Sequence, residues 1–119
     1  MNKRYKQKFG KKFKIRRMYD LCDYLGKDIL RDLKAFQRVC SAAPMEICEK
    51  DDLAGVRPET EKKWKDMIGK MIWSFEEILY DRGNAPGFPW EKTPEMEAYN
   101  KRVDEGLQLF AHHFKDLWF

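Results

Sequence analysis

Residues 64–79 carry apolar side chains every three or four positions, the spacing of one face of an α-helix. This pattern predicts a core helix. We expect it to begin at Pro58, because proline is pre-set for the first helical turn, and to end before a glycine- and proline-rich loop that reaches about residue 92. The predicted face consists of Trp64, Met67, Ile68, Met71, Ile72, Phe75, Ile78 and Leu79.

Two further helical patterns flank this one. The first runs from about Arg16 to Cys40, and the last opens at Thr93-Pro94, an N-cap followed by a proline at the first helical position. Residues 41–57 are less regular, with a short helical turn expected after Pro44. The sequence therefore predicts an all-α fold, a small three-helix bundle with room for a short fourth helix. The predicted apolar faces are Leu21, Leu25, Ile29, Leu33 and Phe36, widened by Cys22, Leu30 and Val39, in the first helix, and Met96, Tyr99, Val103, Leu107, Phe110, Phe114 and Leu117 in the last.

The chain of 119 residues has room for one modest core, and its hydrophobic fraction of 43% is enough to fill one. We expect a single helical domain over residues 18–119, preceded by a basic arm at 1–17. No apolar run reaches the roughly 18 residues that a transmembrane helix needs, so no membrane span is predicted. Three widely spaced cysteines favour free thiols in a reducing compartment, and a cytoplasmic location is expected.

The basic arm holds nine of the 24 basic residues and no acidic one, which leaves 15 basic against 20 acidic residues in the rest of the chain. Aromatic residues recur among these charges at four-residue intervals. Such a segment suits nucleic acid or a nucleotide, since cations neutralise phosphates and aromatic rings stack on bases. It equally suits an acidic protein or membrane surface, a solvated tail, or docking of the aromatic rings onto the bundle. The candidate phosphate-binding residues are Lys3, Arg4, Tyr5, Lys6, Lys8, Phe9, Lys11, Lys12, Phe13, Lys14, Arg16 and Arg17.

Catalytic and metal-binding patterns are weak. His112 and His113 are adjacent and point about 100° apart on a regular helix, so we expect that they cannot bind one ion together. His112 and Asp116 form an i,i+4 pair, but two such ligands fall short of a metal site. Glu76 and Glu77 cannot both face the core, and the cysteines have neither CxxC spacing nor an evident base. The sequence also lacks the common phosphate-binding loops and nucleophile motifs. We therefore predict a protein without catalytic residues, cofactor or metal.

Several large side chains are better explained by contact with a partner protein than by catalysis. Trp90 lies in the proline-rich loop, and an exposed tryptophan is an efficient contact residue. The candidate protein-interface residues are Trp73, Glu76, Trp90, Trp118 and Phe119. The abundance of aromatic and methionine residues predicts an exposed apolar patch centred on the second and third helices, which would also suit a homo-oligomer.

Three segments carry a family resemblance: CDYLGKDILRDLKAF (22–36), WKDMIGKMIWSFEEIL (64–79) and YNKRVDEGLQLFAHHFKDLW (99–118). Together they resemble a group of small tailed-bacteriophage proteins that share a KMIWxFE helix followed by a RVxEGLxLFxxxFxxLW helix. Most of residues 15–118 takes part, while the arm and residues 41–57 do not. His113 stands where that pattern usually has tyrosine.

The resemblance implies a phage accessory protein that works inside the infected bacterial cell. The expected function is non-enzymatic binding of a host or phage macromolecule, such as a host protein targeted in counter-defence or host takeover. The alternative is a protein that binds or sequesters nucleic acid or a nucleotide signal through the basic arm.

Overall fold

The computed structural model of the chain describes residues 20–80 and 82–117, and all regular structure in these ranges is helical. Three long helices follow one another: α1 (Leu21–Val39), α2 (Pro58–Leu79) and α3 (Pro94–His113). Short 3-10 turns occupy Met45–Ile47 and Lys50–Asp52 in the α1–α2 connector, and Phe114–Asp116 follows α3. The all-α prediction with three helices is confirmed, whereas the basic arm at 1–17 lies outside the described residues.

The predicted starts of α2 and α3 are confirmed. Pro58 is the first residue of α2, where its missing N–H costs no intrahelical bond. At α3 the side chain of Thr93 accepts a hydrogen bond of 3.2 Å from the backbone N–H of Met96. These signals act locally, which is why the sequence alone located both helix starts.

The core centres on α2, against which both α1 and α3 pack. The middle of α2 is the most deeply buried part of the described chain, with Ile68 and Met71 wholly inaccessible to solvent. The core cluster comprises Leu30, Leu33, Cys40, Trp64, Ile68, Met71, Ile72 and Phe75.

Two glycines set the distances between the helices. Gly26 of α1 lies against the side chain of Leu79, and a β-carbon there would sit 2.7 Å from a methyl carbon of that leucine. Gly106 of α3 is packed more tightly, since a β-carbon would overlap both the hydroxyl of Ser74 and the backbone carbonyl of Lys70. The α2–α3 crossing therefore depends on the absence of a side chain at position 106.

The α1–α2 connector is held by one buried aspartate. Asp52 accepts hydrogen bonds from the backbone N–H groups of Glu49 and Arg57, each 2.8 Å long, and from the hydroxyl of Thr60 at 2.8 Å. The guanidinium of Arg57 adds a contact of 3.3 Å. The two backbone donors, followed by the Thr60 and Arg57 side chains, hold the pKa of Asp52 well below its usual range.

The buried face of α1 agrees with the prediction at Leu30 and Leu33 and differs from it at Leu21 and Leu25. Its buried residues are Gly26, Leu30 and Leu33, whereas Leu21 and Leu25 are 39% and 49% exposed. Because Gly26 lies in close contact with Leu79, the side of α1 that carries Gly26 faces α2, and Leu21 and Leu25 point outward. In the ranges the structure covers, no helix has both the length and the apolarity to span a bilayer.

Candidate functional site

The loop between α2 and α3 presents two large aromatic side chains to solvent. Trp90 is 74% exposed and Phe88 is 59% exposed. Their rings stack with centroids 4.8 Å apart and planes within 3° of parallel. Pro89 separates the two residues, and the backbone N–H of Glu91 closes a turn on the carbonyl of Phe88 at 3.0 Å. We call Phe88 and Trp90 the aromatic pair.

The base of this loop is tied to the bundle through two adjacent glutamates. Glu77 accepts hydrogen bonds of 2.9 Å from the hydroxyl of Tyr99 in α3 and from the amide of Asn84 in the loop. Glu76 pairs with Arg82 at the start of the loop and with Lys34 of α1 at 3.8 Å. Gly83 then turns the chain with a backbone φ of 70°, a conformation that favours glycine. These ties give the aromatic pair an ordered support.

The other described interface candidates lie within the bundle surface. Trp73 is half-buried, because the guanidinium of Arg102 lies 3.8 Å from its ring centroid and Tyr99 meets it edge-on at 5.8 Å. Glu76 keeps only 16% of its side chain exposed and serves the loop. Both residues therefore contact other elements of the fold, and their predicted interface role stays a prediction. Trp90 is the most exposed of the described interface candidates.

The remaining predicted site residues are not described by the structure. The basic and aromatic residues between Lys3 and Arg17 lie outside the described residues, as do Trp118 and Phe119. Their predicted roles in phosphate binding and protein contact stay predictions.

Charges around the aromatic pair do not form a basic surface. Residues 82–97 carry two basic side chains, Arg82 and Lys92, against three acidic ones, Glu91, Glu95 and Glu97. A surface for nucleic acid needs an excess of positive charge to replace the counterions of the phosphates. The loop is therefore better suited to a protein surface.

An apolar groove of about 260 Å³ runs between α1 and the end of α3. Phe36 belongs to its α1 side, and Phe114, which is 67% exposed, belongs to its α3 side. Exposed apolar side chains of the described residues thus lie in this groove, in the α2–α3 loop and at the ends of helices. The sequence predicts an exposed apolar patch centred on α2 and α3. The groove is lined by Ile29, Asp32, Leu33, Phe36, Phe110, Phe114 and Leu117.

A polar cluster occupies the carboxyl end of α3. His113 is 2% exposed, and its Nδ1 lies 3.0 Å from a carboxylate oxygen of Asp116. Its ring meets Trp64 edge-on with centroids 5.2 Å apart. The exposed His112 places Nε2 at 2.8 and 3.0 Å from the two carboxylate oxygens of Glu46, in the α1–α2 connector.

The two imidazoles do not diverge as a regular helix predicts. Their ring centroids are 4.7 Å apart, at the point where α3 gives way to a 3-10 turn. Sequence reasoning missed Glu46, which lies 66 residues before His112. Beside the cluster, a cavity of about 370 Å³ is lined by residues that include Glu46, Trp64, Lys115 and Asp116.

The cysteines are free thiols, as predicted. Burial raises the pKa of the Cys40 thiol, which opposes formation of the reactive thiolate. Cys40 therefore acts as a core residue of the bundle.

No protein-family model matches the chain, and comparison with curated proteins and with solved structures likewise finds no significant match. The geometry of the described surfaces is thus the basis for any functional conclusion.

Proposed function

We propose that this chain is a non-enzymatic binding protein whose principal contact with a partner protein is the aromatic pair, Phe88 and Trp90. The observation that carries the proposal is the parallel stack of two largely exposed rings on a loop that Glu76 and Glu77 tie to the bundle. Tryptophan is enriched among the residues that dominate binding energy at interfaces. A loop held in one conformation also loses less entropy when it binds.

The cost of exposing these rings supports a role in binding. Burying a large aromatic side chain contributes about 1.5–3 kcal/mol, and neither ring of the pair obtains that gain within the bundle. The resemblance to tailed-phage proteins supports a host or phage protein as the partner, encountered in the cytoplasm of an infected bacterium. The near-balanced charge of residues 82–97 favours a protein over nucleic acid at this surface.

A site-specific cross-linking experiment tests the proposal. A photo-reactive phenylalanine analogue replaces Phe88 in the full chain, and the protein is irradiated in extracts of infected and uninfected cells. We expect one partner protein to be captured, and its capture to be abolished by adding Trp90→Ala. The matched control places the same analogue at Leu53, an exposed residue outside the loop (81% exposed). We expect this control to capture no such protein.

Binding of the purified partner then decides the matter. Phe88→Ala and Trp90→Ala should each weaken it by at least about tenfold, or about 1.4 kcal/mol, whereas Leu53→Ala should not. Unchanged affinity in both loop variants would refute the proposal. Light scattering after size exclusion, with nucleic acid at two salt concentrations, examines the alternative. A shift reversed by salt and lost on deletion of residues 1–17 would transfer the function to the basic arm.

A further inference from the structure

The cluster at the end of α3 contains the only two histidines of the chain. One nitrogen from each imidazole and one carboxylate oxygen of Glu46 lie within 4.8 Å of one another. The group draws on two distant parts of the sequence, the α1–α2 connector and the last turn of α3. Such convergence of three nitrogen and oxygen donors is independent of the aromatic pair and of the proposed binding function.

The donor types fit a zinc ion. Zinc takes imidazole nitrogen at about 2.0–2.1 Å and carboxylate oxygen at about 2.0–2.2 Å, so tetrahedral ligand atoms stand about 3.3 Å apart. The contacts of 2.8 and 3.0 Å between His112 and Glu46 are already close to that separation. The widest pair of ligand atoms, at up to 4.8 Å, has to close by about 1.5 Å or less, and the side chains of His112 and Glu46 can supply this movement.

Two of the three ligands, His112 and Glu46, would have to move to bind the ion. His112 and Glu46 are each 59% exposed, so their side chains change rotamer without disturbing the core. His113 is fixed by Trp64 on one side and Asp116 on the other. One rigid and two adaptable ligands allow the group to close around an ion.

Asp116 supplies the outer support that metal-binding histidines usually have. Its carboxylate lies 3.0 Å from Nδ1 of His113. A neutral His113 that donates from Nδ1 to this carboxylate would offer Nε2 as the metal ligand. Three protein ligands also leave a fourth position for water.

We propose that Glu46, His112 and His113 form a zinc site, with Asp116 as the positioning residue for His113. The bound ion clips the α1–α2 connector to the end of α3. This position lies at the cavity lined by Trp64 and Asp116. In the described structure, the connector contacts His112 through Glu46. A zinc ion would replace this contact with three metal–ligand bonds, one each to Glu46, His112 and His113.

Calorimetric titration of the full chain with Zn²⁺, in a phosphine reductant after removal of metals, tests the site. We expect one ion per chain and a higher unfolding temperature with zinc. Glu46→Gln and His112→Ala alter exposed side chains, so both should fold and should weaken zinc binding at least about tenfold. Glu49→Gln, an exposed glutamate of the same connector, is the matched control and should bind zinc as the parent does.

Two spectroscopic readings separate this site from a cysteine site and from a merely structural role of the histidines. In nitrogen-15 spectra of labelled histidine, Zn²⁺ should shift a ring nitrogen of both imidazoles. Asp116→Asn should weaken binding by about tenfold through His113 while both rings still respond. Cobalt substitution should give no thiolate charge-transfer band. Absence of binding at millimolar zinc, unchanged affinity in Glu46→Gln and His112→Ala, or a response of one ring only would overturn the proposal.

Discussion

The side chain of Asp52 holds the α1–α2 connector to the start of α2. It is the one carboxylate that joins Glu49, Arg57 and Thr60, and these contacts set the angle at which the connector enters α2. Its carboxylate accepts hydrogen bonds from the backbone N–H groups of Glu49 and Arg57, one on each side of Asp52 in the chain. Such donors are costly to leave unpaired when buried.

Asp52→Asn should destabilise the protein at neutral pH, because an amide offers one acceptor oxygen where the carboxylate offers two. The folded pKa is lowered, so the contribution of Asp52 is fully present above the unfolded value of about 3.9 and is lost as pH falls below it. Urea unfolding at pH 7 and at stepwise lower pH measures this. The variant should lose less stability on acidification than the parent.

Asp51→Asn is the matched control for that experiment, since Asp51 is exposed and adjacent. It should leave both the neutral stability and the acid dependence close to those of the parent. If the parent and Asp52→Asn lose stability in parallel on acidification, the assignment of Asp52 as the anchor of the connector is wrong.

At the scale of the elements, the α2–α3 pair depends on a narrow crossing. Gly106 faces Ser74, which is completely buried and donates a 3.5 Å hydrogen bond to the carbonyl of Arg102. The helices are close here because neither residue carries a large side chain. The crossing therefore sets the position of the whole of α3, including the loop base at Tyr99 and the histidines at its end.

Gly106→Ala should destabilise the fold by about 1–3 kcal/mol or more, because the added methyl group overlaps backbone as well as side-chain atoms. Gly69→Ala in α2 is the control, since its methyl would meet only the amide of Gln37 at 3.3 Å. Alanine is favoured over glycine in a helix interior by about 1 kcal/mol, so this change should be neutral or stabilising. Urea unfolding followed by circular dichroism distinguishes the two, and equal stability of both variants would contradict the close crossing.

Helix starts could be read from the sequence, whereas the orientation of the helices could not. Thr93, Pro94 and Pro58 act on their own turn of helix, so their effect does not depend on the rest of the fold. The outward turn of Leu25 depends on Gly26 meeting Leu79, 53 positions further along the chain. Apolar periodicity gives no weight to glycine, and so it placed Leu21 and Leu25 on the buried face of α1 together with Leu30 and Leu33.

The candidate sites follow the same division. The exposure of Trp90 could be predicted because the proline-rich loop around it is a local signal. The partial burial of Trp73 by Arg102 and Tyr99 of another helix could not be predicted in this way, and its interface role stays a prediction. Glu46 was missed because its link to His112 exists only in the folded chain. Contacts between segments that are far apart in the chain cannot be predicted from the spacing of residues along the sequence.

For the whole molecule, α2 is the element on which the others depend. Ile68 lies at its middle with no solvent exposure, while Ile78, the next-to-last residue of the helix, is 44% exposed. Ile68 and Ile78 have the same side chain and lie on the same helix, so they differ mainly in burial. They therefore allow a direct comparison of how burial contributes to the stability of the bundle.

Ile68→Ala should lower the free energy of unfolding by about 2–5 kcal/mol, since it removes buried methylene groups and leaves a cavity. Ile78→Ala should lower it by less than about 1 kcal/mol, because its side chain is partly hydrated already. Denaturant titration of both variants provides the measurement. A similar loss in the two would show that the core is not centred on the middle of α2.

The central position of α2 also bears on how the chain reaches this structure. The extensive helix contacts join α1 to α2 and α2 to α3, so each helix packs chiefly on its neighbour in sequence. Little chain has to be closed into a loop before a favourable contact forms, and topologies of this kind fold rapidly. A nascent chain can assemble α1 on α2 before α3 has left the ribosome, which limits the time that the apolar face of α2 spends in water.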